Sequence, residues 1–177
     1  MEINLNPCTR LTADAIGKPG QRVFYIHGET PNQQITVIIE KIQLQSLATG
    51  ILKFLEDIKK RHPDLIDPSG KFDEKKMHIK PPVDPVFRAG EIGLSYDLEL
   101  DLAVMVVNEI IMDVNSAEDT DSEINIVRYW CSREQLKSLA LWGLEVVQQG
   151  RPICPLCGEP INPDGHFCPK KNGHNKH

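Results

Sequence analysis

No stretch of this 177-residue chain stays apolar for anything near the roughly 20 residues that a helix needs to cross a bilayer, so no membrane span is expected. The first residues, Met1-Glu2-Ile3-Asn4-Leu5-Asn6, have neither a positively charged start nor an apolar run. That excludes the pattern of a secretory leader and points to the cytoplasm. An excess of basic charge is missing too. Lys and Arg number 20 against 25 Asp and Glu, giving a net charge of -5 and a pI near 5.7. Nucleic acid is gripped through dense Lys/Arg surfaces, so it is not an expected partner. The familiar catalytic signatures are absent as well. There is no Gly-rich phosphate loop, since Ala48-Thr49-Gly50 falls inside a helical pattern, and neither Gly-x-Ser-x-Gly nor His-Glu-x-x-His occurs.

What is present describes a globular protein. The hydrophobic fraction is 40% and the charged fraction 25%. The length suffices for one domain with a real core and a small appendage. Strand patterns run over Thr9 to Ile16, Arg22 to His27 and the β-branched Gln34 to Ile39, with Gly17-Lys-Pro-Gly20 as a turn between the first two. A helix follows, with Leu44, Leu47, Ala48, Ile51, Leu55 and Ile58 on one stripe, and Pro63 ends it. Residues 63–85 form a polar connection rich in Pro and Lys. The pattern then begins again. Strands are expected over Val86 to Leu94, Leu100 to Ile111 and Glu123 to Cys131, and a helix over Arg133 to Gln148 with Ser132 as its N-cap.

The two runs echo each other. Gln43-Leu44-Gln45-Ser46-Leu47-Ala48 opens the first helix and Gln135-Leu136-Lys137-Ser138-Leu139-Ala140 opens the second. Ala13-Asp14-Ala15-Ile16-Gly17 is matched by Ala89-Gly90-Glu91-Ile92-Gly93. The expected fold class is α+β: duplicated β-β-β-α units over residues 9–62 and 86–150, forming one antiparallel-sheet domain with two helices. Residues 1–150 make that domain, with residues 63–85 as the linker between its halves. Residues 151–177 make a separate zinc-binding tail.

The tail carries the clearest chemistry. Its spacing is Cys154-x2-Cys157-x8-His166-x-Cys168-x5-His174. Cys-x-x-Cys followed by Gly158 is a turn that offers two thiolates to one ion, and thiolate with imidazole suits tetrahedral Zn²⁺. Cys168 is the third ligand. His166, preceded by the Asp164-Gly165 turn, is preferred as the fourth over His174, which lies close to the chain end. The metal set is therefore Cys154, Cys157, His166 and Cys168. Four protein ligands close the site, which makes the zinc structural. A redox Cys-x-x-Cys belongs at a helix start, and Pro152, Pro155, Pro160, Pro163 and Pro169 preclude a helix here. A catalytic zinc would need an open position and a base, for which Glu159 is the local candidate. The tail has Arg151, Lys170, Lys171 and Lys176 against Glu159 and Asp164, so it carries +2 and the body -7. Bound zinc and three thiolates bring the tail to about +1.

Other groups read as structural. His27, Glu29 and Glu40 at strand ends are candidates for a proton-transfer pair, but a hydrogen-bonded edge is the commoner use of such residues. His62 and His78 are expected in solvent. The acidic run Glu118 to Glu123 lacks the ordered ligands of a Ca²⁺ loop. Cys131 reads as a buried hydrophobe, and Tyr129, Trp130 and Trp142 as core.

Gly17-Lys-Pro-Gly20-Gln-Arg22, Phe87-Arg88-Ala89-Gly90 and above all Gly150-Arg-Pro-Ile-Cys154-Pro-Leu-Cys157-Gly158, with Asp164-Gly165-His166 and Asn172-Gly173 after it, carry a resemblance. The chain resembles, over nearly its whole length, a bacterial family catalogued as domain of unknown function 3090. The resemblance implies no activity. It implies that relatives often carry Tyr where this chain has His174, which favours His166 as ligand. The expected function is a non-catalytic binding or adaptor protein with a protein partner. The alternative is an enzyme or small-ligand binder with its site at the seam between the two halves, where ligands favour a cleft.

Overall fold

The computed structural model of the chain describes residues 1–111, 124–162 and 164–170. The strands are β1 (Glu2–Leu5), β2 (Arg10–Ile16), β3 (Val23–Glu29), β4 (Gln34–Ile39), β5 (Pro85–Asp97), β6 (Leu102–Glu109) and β7 (Ile126–Cys131). The helices are α1 (Lys41–Arg61), the single turn α2 (Glu74–Met77) and α3 (Arg133–Gln148). The fold is α+β. Its seven strands form one sheet in the order β1-β7-β6-β5-β4-β3-β2.

The expected antiparallel sheet with two helices is corrected in two respects. The sheet is mixed, because β4 pairs β5 in parallel and β1 pairs β7 in parallel. The first parallel pair follows from α1. A helix-length crossover carries the chain back to the end from which β4 started, so β5 enters alongside in the same direction. The second comes from β1, a strand outside either β-β-β-α run. There is also a third helix, α2, whose turn is capped by Asp73 accepting from the Lys75 N–H at 3.1 Å. The two runs join edge to edge in one sheet, where Thr36 opposes Pro85 and Ile38 opposes Arg88.

The sheet rolls up. β5 pairs β4 through Pro85 and Arg88 and β6 from Ala89 onward, with a register shift between Ala89 and Ile92. Such a shift bends a strand and strengthens its twist. At the open side residues 6–9 draw the two edges together. Cys8 N–H donates to Trp130 O of β7 at 2.7 Å, and Thr9 N–H donates to Glu29 O of β3 at 2.8 Å. Inside the roll, Gly28 of β3 faces the Tyr129 ring and Leu5, and a Cβ there would lie 2.5 Å from Tyr129 Cδ1.

The helices form as their sequences dictate. The six apolar stripe residues of α1 are its buried ones. Lys59, Lys60 and Arg61 occupy its last turn, where cations suit the helix dipole. α3 buries Leu136, Leu139, Ala140, Trp142, Gly143, Val146 and Val147. Each fully buried large side chain contributes about 1.5–3 kcal/mol, so this stripe rather than helix propensity holds α3 in place. Gly143 lets α3 approach Leu44 and Ala48 of α1. The shared Gln-Leu-x-Ser-Leu-Ala motif does the same work twice. Gln43 Oε1 accepts the Glu40 N–H at 2.9 Å while its Nε2 donates to Gly90 O at 3.0 Å. Gln135 Oε1 accepts the Ser132 N–H at 2.9 Å while its Nε2 donates to Cys8 O at 3.0 Å. Each Gln completes a capping box and ties a neighbouring chain segment to the helix start.

The polar connection is strapped down by side chains of other elements. Arg133 donates to Ile66 O at 2.6 Å and Lys137 to Pro68 O at 2.8 Å. The Glu134 carboxylate accepts from the backbone of Ser69 and Gly70, each at 2.7 Å, and from the Ser69 hydroxyl. Ser138 donates to Lys71 O at 3.2 Å. Further along, Arg10 donates to Lys76 O and His78 O, Thr12 donates to Met77 O, and Asp14 accepts from the Ile79 N–H. A segment with no periodicity of its own is thus ordered by its partners.

Candidate metal centre and sheet cleft

The C-terminal segment is built on two tight turns. Cys154 N–H donates to Glu159 O at 2.8 Å and Gly158 N–H to Cys154 O at 2.9 Å, which closes the Cys-x-x-Cys-Gly loop. Gly158 has φ 78°, a left-handed conformation that L side chains rarely adopt. Gly165 N–H donates to Asn162 O at 2.8 Å and forms the second turn. The loops bring Cys154, Cys157, His166 and Cys168 together, with one ligand atom from each and all four atoms within 4.8 Å of one another. Cys157 Sγ lies 3.3 Å from His166 Nε2, and Cys154 Sγ lies 3.9 Å from Cys168 Sγ. Cys154 and Cys168 are buried.

The electrostatics suit a cation. Backbone N–H groups of Cys157 and then Leu156 aim at the Cys154 sulfur and draw its thiol down to about 6. The Glu159 N–H lowers Cys157, but burial and the Cys154 and Cys168 sulfurs outweigh it and leave Cys157 raised. A thiolate beside two more sulfurs is stabilised by a shared metal ion, which takes its ligands deprotonated. The cluster could therefore hold a metal ion, and its donor set is the thiolate-rich one that zinc takes. His174, the other candidate ligand, lies outside the described residues, as does the acidic run Glu118 to Glu123. Ile153, Leu156 and Phe167 point outward and are 58%, 52% and 77% exposed.

The tail meets the body near the first turn motif. A Cβ at Gly20 would come within 3.3 Å of the Arg151 side chain. Arg22 donates to Val146 O at 3.0 Å, near the end of α3, and Arg151 donates to Asn162 Oδ1 at 2.6 Å. Two sequence stretches 130 residues apart, Gly17 to Arg22 and Gly150 onward, are neighbours in the fold.

A second constellation lies on β2, β3 and β4. His27 and Thr36 are opposite each other across β3 and β4, and Glu29 follows His27 by two residues on the same face. His27 Nε2 is 2.9 Å from Glu29 Oε1 and His27 Nδ1 is 2.7 Å from Thr36 Oγ1. Arg10 Nη1 reaches Glu29 Oε1 at 2.5 Å. Burial pushes the Glu29 carboxyl up, but hydrogen bonds from His27 and Arg10 outweigh it and hold it below the ordinary carboxylate range. An ionised Glu29 accepts, so the network assigns the proton of a neutral His27 to Nε2 and leaves Nδ1 to accept the Thr36 hydroxyl. These residues line a cleft of about 660 Å³ together with the strap from Lys75 to Val86.

His27 and Glu29, paired in the sequence reading, do meet. Glu40 does not join them: it stands at the start of α1 and ion-pairs Arg88. His78, expected in solvent, is half-exposed, lies 3.2 Å from Asp14 Oδ2 and stands edge-on to Trp142 at 5.0 Å. Tyr129 and Trp142 are fully buried, and Trp142 Nε1 donates to Ala13 O at 2.7 Å. Arg10 and Thr36 were not singled out in the sequence. The available signal was the alternation in β2, where Arg10, Thr12 and Asp14 put polar groups on one face at every second position.

Fold and site define a class first: an α+β protein with a seven-strand mixed sheet and a Cys3His cluster fit for a metal ion. The chain belongs to the family described as protein of unknown function (DUF3090), which matches residues 3–168 and so takes in the whole cluster and the cleft. No curated protein and no solved structure matches it. No helix among the described residues is long and apolar enough to cross a membrane.

Proposed function

We propose that this is a non-catalytic binding protein of the cytoplasm, in which Cys154, Cys157, His166 and Cys168 hold a structural zinc ion and the clasped segment meets a protein partner. The observation that carries the reading is the arrangement of the tail. Four donors converge inward while Ile153, Leu156 and Phe167 turn outward. Four protein ligands leave zinc no open position for a substrate. Exposed apolar side chains close together in the chain suit a partner's surface. The five free cysteines support a reducing compartment. Elemental analysis of purified protein tests the metal, with one equivalent of zinc expected. Less than half an equivalent, with the tail thiols freely titratable, overturns it. The partner clause is tested by stoichiometric co-purification at native expression, which Leu156→Ser/Phe167→Ser abolishes if the tail is the contact.

A second reading is a small-ligand-binding or enzymatic protein, and the cleft favours it. Arg10, His27, Glu29 and Thr36 converge there, beside the β4–β5 junction where the two β-β-β-α runs meet. Buried polar groups converging on a cavity of this size are the usual makings of a ligand site.

A further inference from the structure

We propose that the cleft over β2, β3 and β4 binds a small phosphate-bearing anion, held by the ammonium groups of Lys75, Lys76 and Lys80. This rests on the second reading above and adds the class of ligand.

The first argument is charge. All three lysines line the cleft, and among the described residues none of their ammonium groups has an ion-pair partner. The lining carboxylates are Glu29 and Asp84, and Glu29 is already paired with Arg10. Three cations therefore face one unspent carboxylate, in a chain whose net charge is -5. Like charges gathered around one cavity raise its potential and favour an anion entering it.

The second argument is placement. The backbone that carries these lysines is pinned to the sheet. Arg10 Nε donates to Lys76 O at 2.8 Å and Nη2 to His78 O at 2.7 Å, and the Thr12 hydroxyl donates to Met77 O at 2.6 Å. Arg10 is therefore not the ligand-binding cation. Its fork is spent on Glu29 and two carbonyls, and its work is to hold the strap so that the lysine stems start from fixed points.

The third argument is the type of cation. A guanidinium fork matches carboxylate and phosphate alike, but the one lining this cleft, that of Arg10, is occupied. What remains are compact point charges on flexible stems, which suit the several oxygens of a phosphate. The volume of about 660 Å³ accommodates a phosphorylated small molecule. The His27–Thr36 pair lies in the lining and reports on occupancy.

The test is an NMR and calorimetric titration of the full chain with inorganic pyrophosphate at constant ionic strength, following the His27 ring and Thr36 signals. Saturable shifts are expected at millimolar concentration or below. Lys76→Gln/Lys80→Gln is expected to raise Kd by about tenfold or more, with an unchanged Tm because both side chains are exposed. Absence of saturable shifts overturns the proposal, and so does a Kd that the double variant leaves unchanged. Citrate binding as tightly as pyrophosphate overturns the preference for phosphate. A library of neutral fragments separates the two levels. If a neutral fragment moves the His27 signals and pyrophosphate does not, the anion class falls and the ligand site stands. If neither moves them, both fall.

Discussion

Gly28 is the tightest point of the rolled sheet, because Tyr129 Cδ1 and Cε1 would lie 2.5 and 2.7 Å from any Cβ placed there. Tyr129 is fully buried, so its ring sits within the packed core. Gly28→Ala is therefore expected to cost about 1–3 kcal/mol, the range for overpacking, read as a lowered midpoint in urea melts with an unchanged slope. The cysteines divide as sharply. Burial pushes the Cys8 thiol up to about 12, and it raises Cys131 as well. Thiols held protonated in an apolar setting react slowly. With metal removed, three thiols are expected to be alkylated quickly at neutral pH and two only after denaturation. Mass spectrometry would place the fast ones at Cys154, Cys157 and Cys168, and fast labelling of Cys8 would contradict the burial argument. Cys154→Ser is expected to leave residues 151–168 open to limited proteolysis while the body keeps its Tm.

At the scale of elements, the strap depends on carboxylates. Burial raises the Glu134 carboxyl, but hydrogen bonds from Ser69, Gly70 and Lys71 outweigh it and hold it below the ordinary carboxylate range. A folded pKa below the unfolded one means that the stabilisation is present above about pH 4.5 and fades as pH falls through the lower folded value. Hydrogen exchange at residues 66–72 should therefore accelerate below pH 4.5, before the sheet amides respond. Glu134→Gln should bring the same loosening to neutral pH. Glu134 is largely exposed, so the effect belongs to local opening rather than to global stability. Equal protection of residues 66–72 in wild type and variant would show that Arg133, Lys137 and Ser138 suffice to hold them.

For the whole molecule, the tail and the body are expected to part company when metal is withdrawn. The tail has turns and two isolated bridges, Ile153 with Pro160 and Asn162 with Gly165, but little core of its own. Metal binding supplies such a segment with on the order of 10 kcal/mol of folding free energy. Chelation should abolish protection of residues 151–168 while the far-UV CD melt of the body stays within a few degrees, since its core rests on the sheet, α1 and α3. Collapse of the whole fold on chelation would mean that the tail is a keystone rather than a clasp.

The two helix stripes were legible because a helix buries residues at a fixed local period, and every apolar position read in α1 is buried. The Cys/His cluster was legible because its donors lie within fifteen residues and short turns alone can bring them together. β1 was not, since four residues of unremarkable pattern become a strand only when β7 offers them an edge. Nor was the sheet's mixed direction, or the cleft. Arg10, His27, Glu29 and Thr36 are ordinary residues in sequence, and register across three strands makes them neighbours. The strap carried no periodic signal because its order comes from Arg10, Thr12, Asp14 and Glu134, each more than fifty residues away from what it holds. The sequence by itself thus determined what local geometry can specify: helices, turns and a Cys/His cluster that could hold a metal ion. Only the tertiary structure decided what depends on distant segments meeting. That was a rolled sheet with polar residues of β2, β3 and β4 on one face, and beside them a segment that brings three lysines to one cleft.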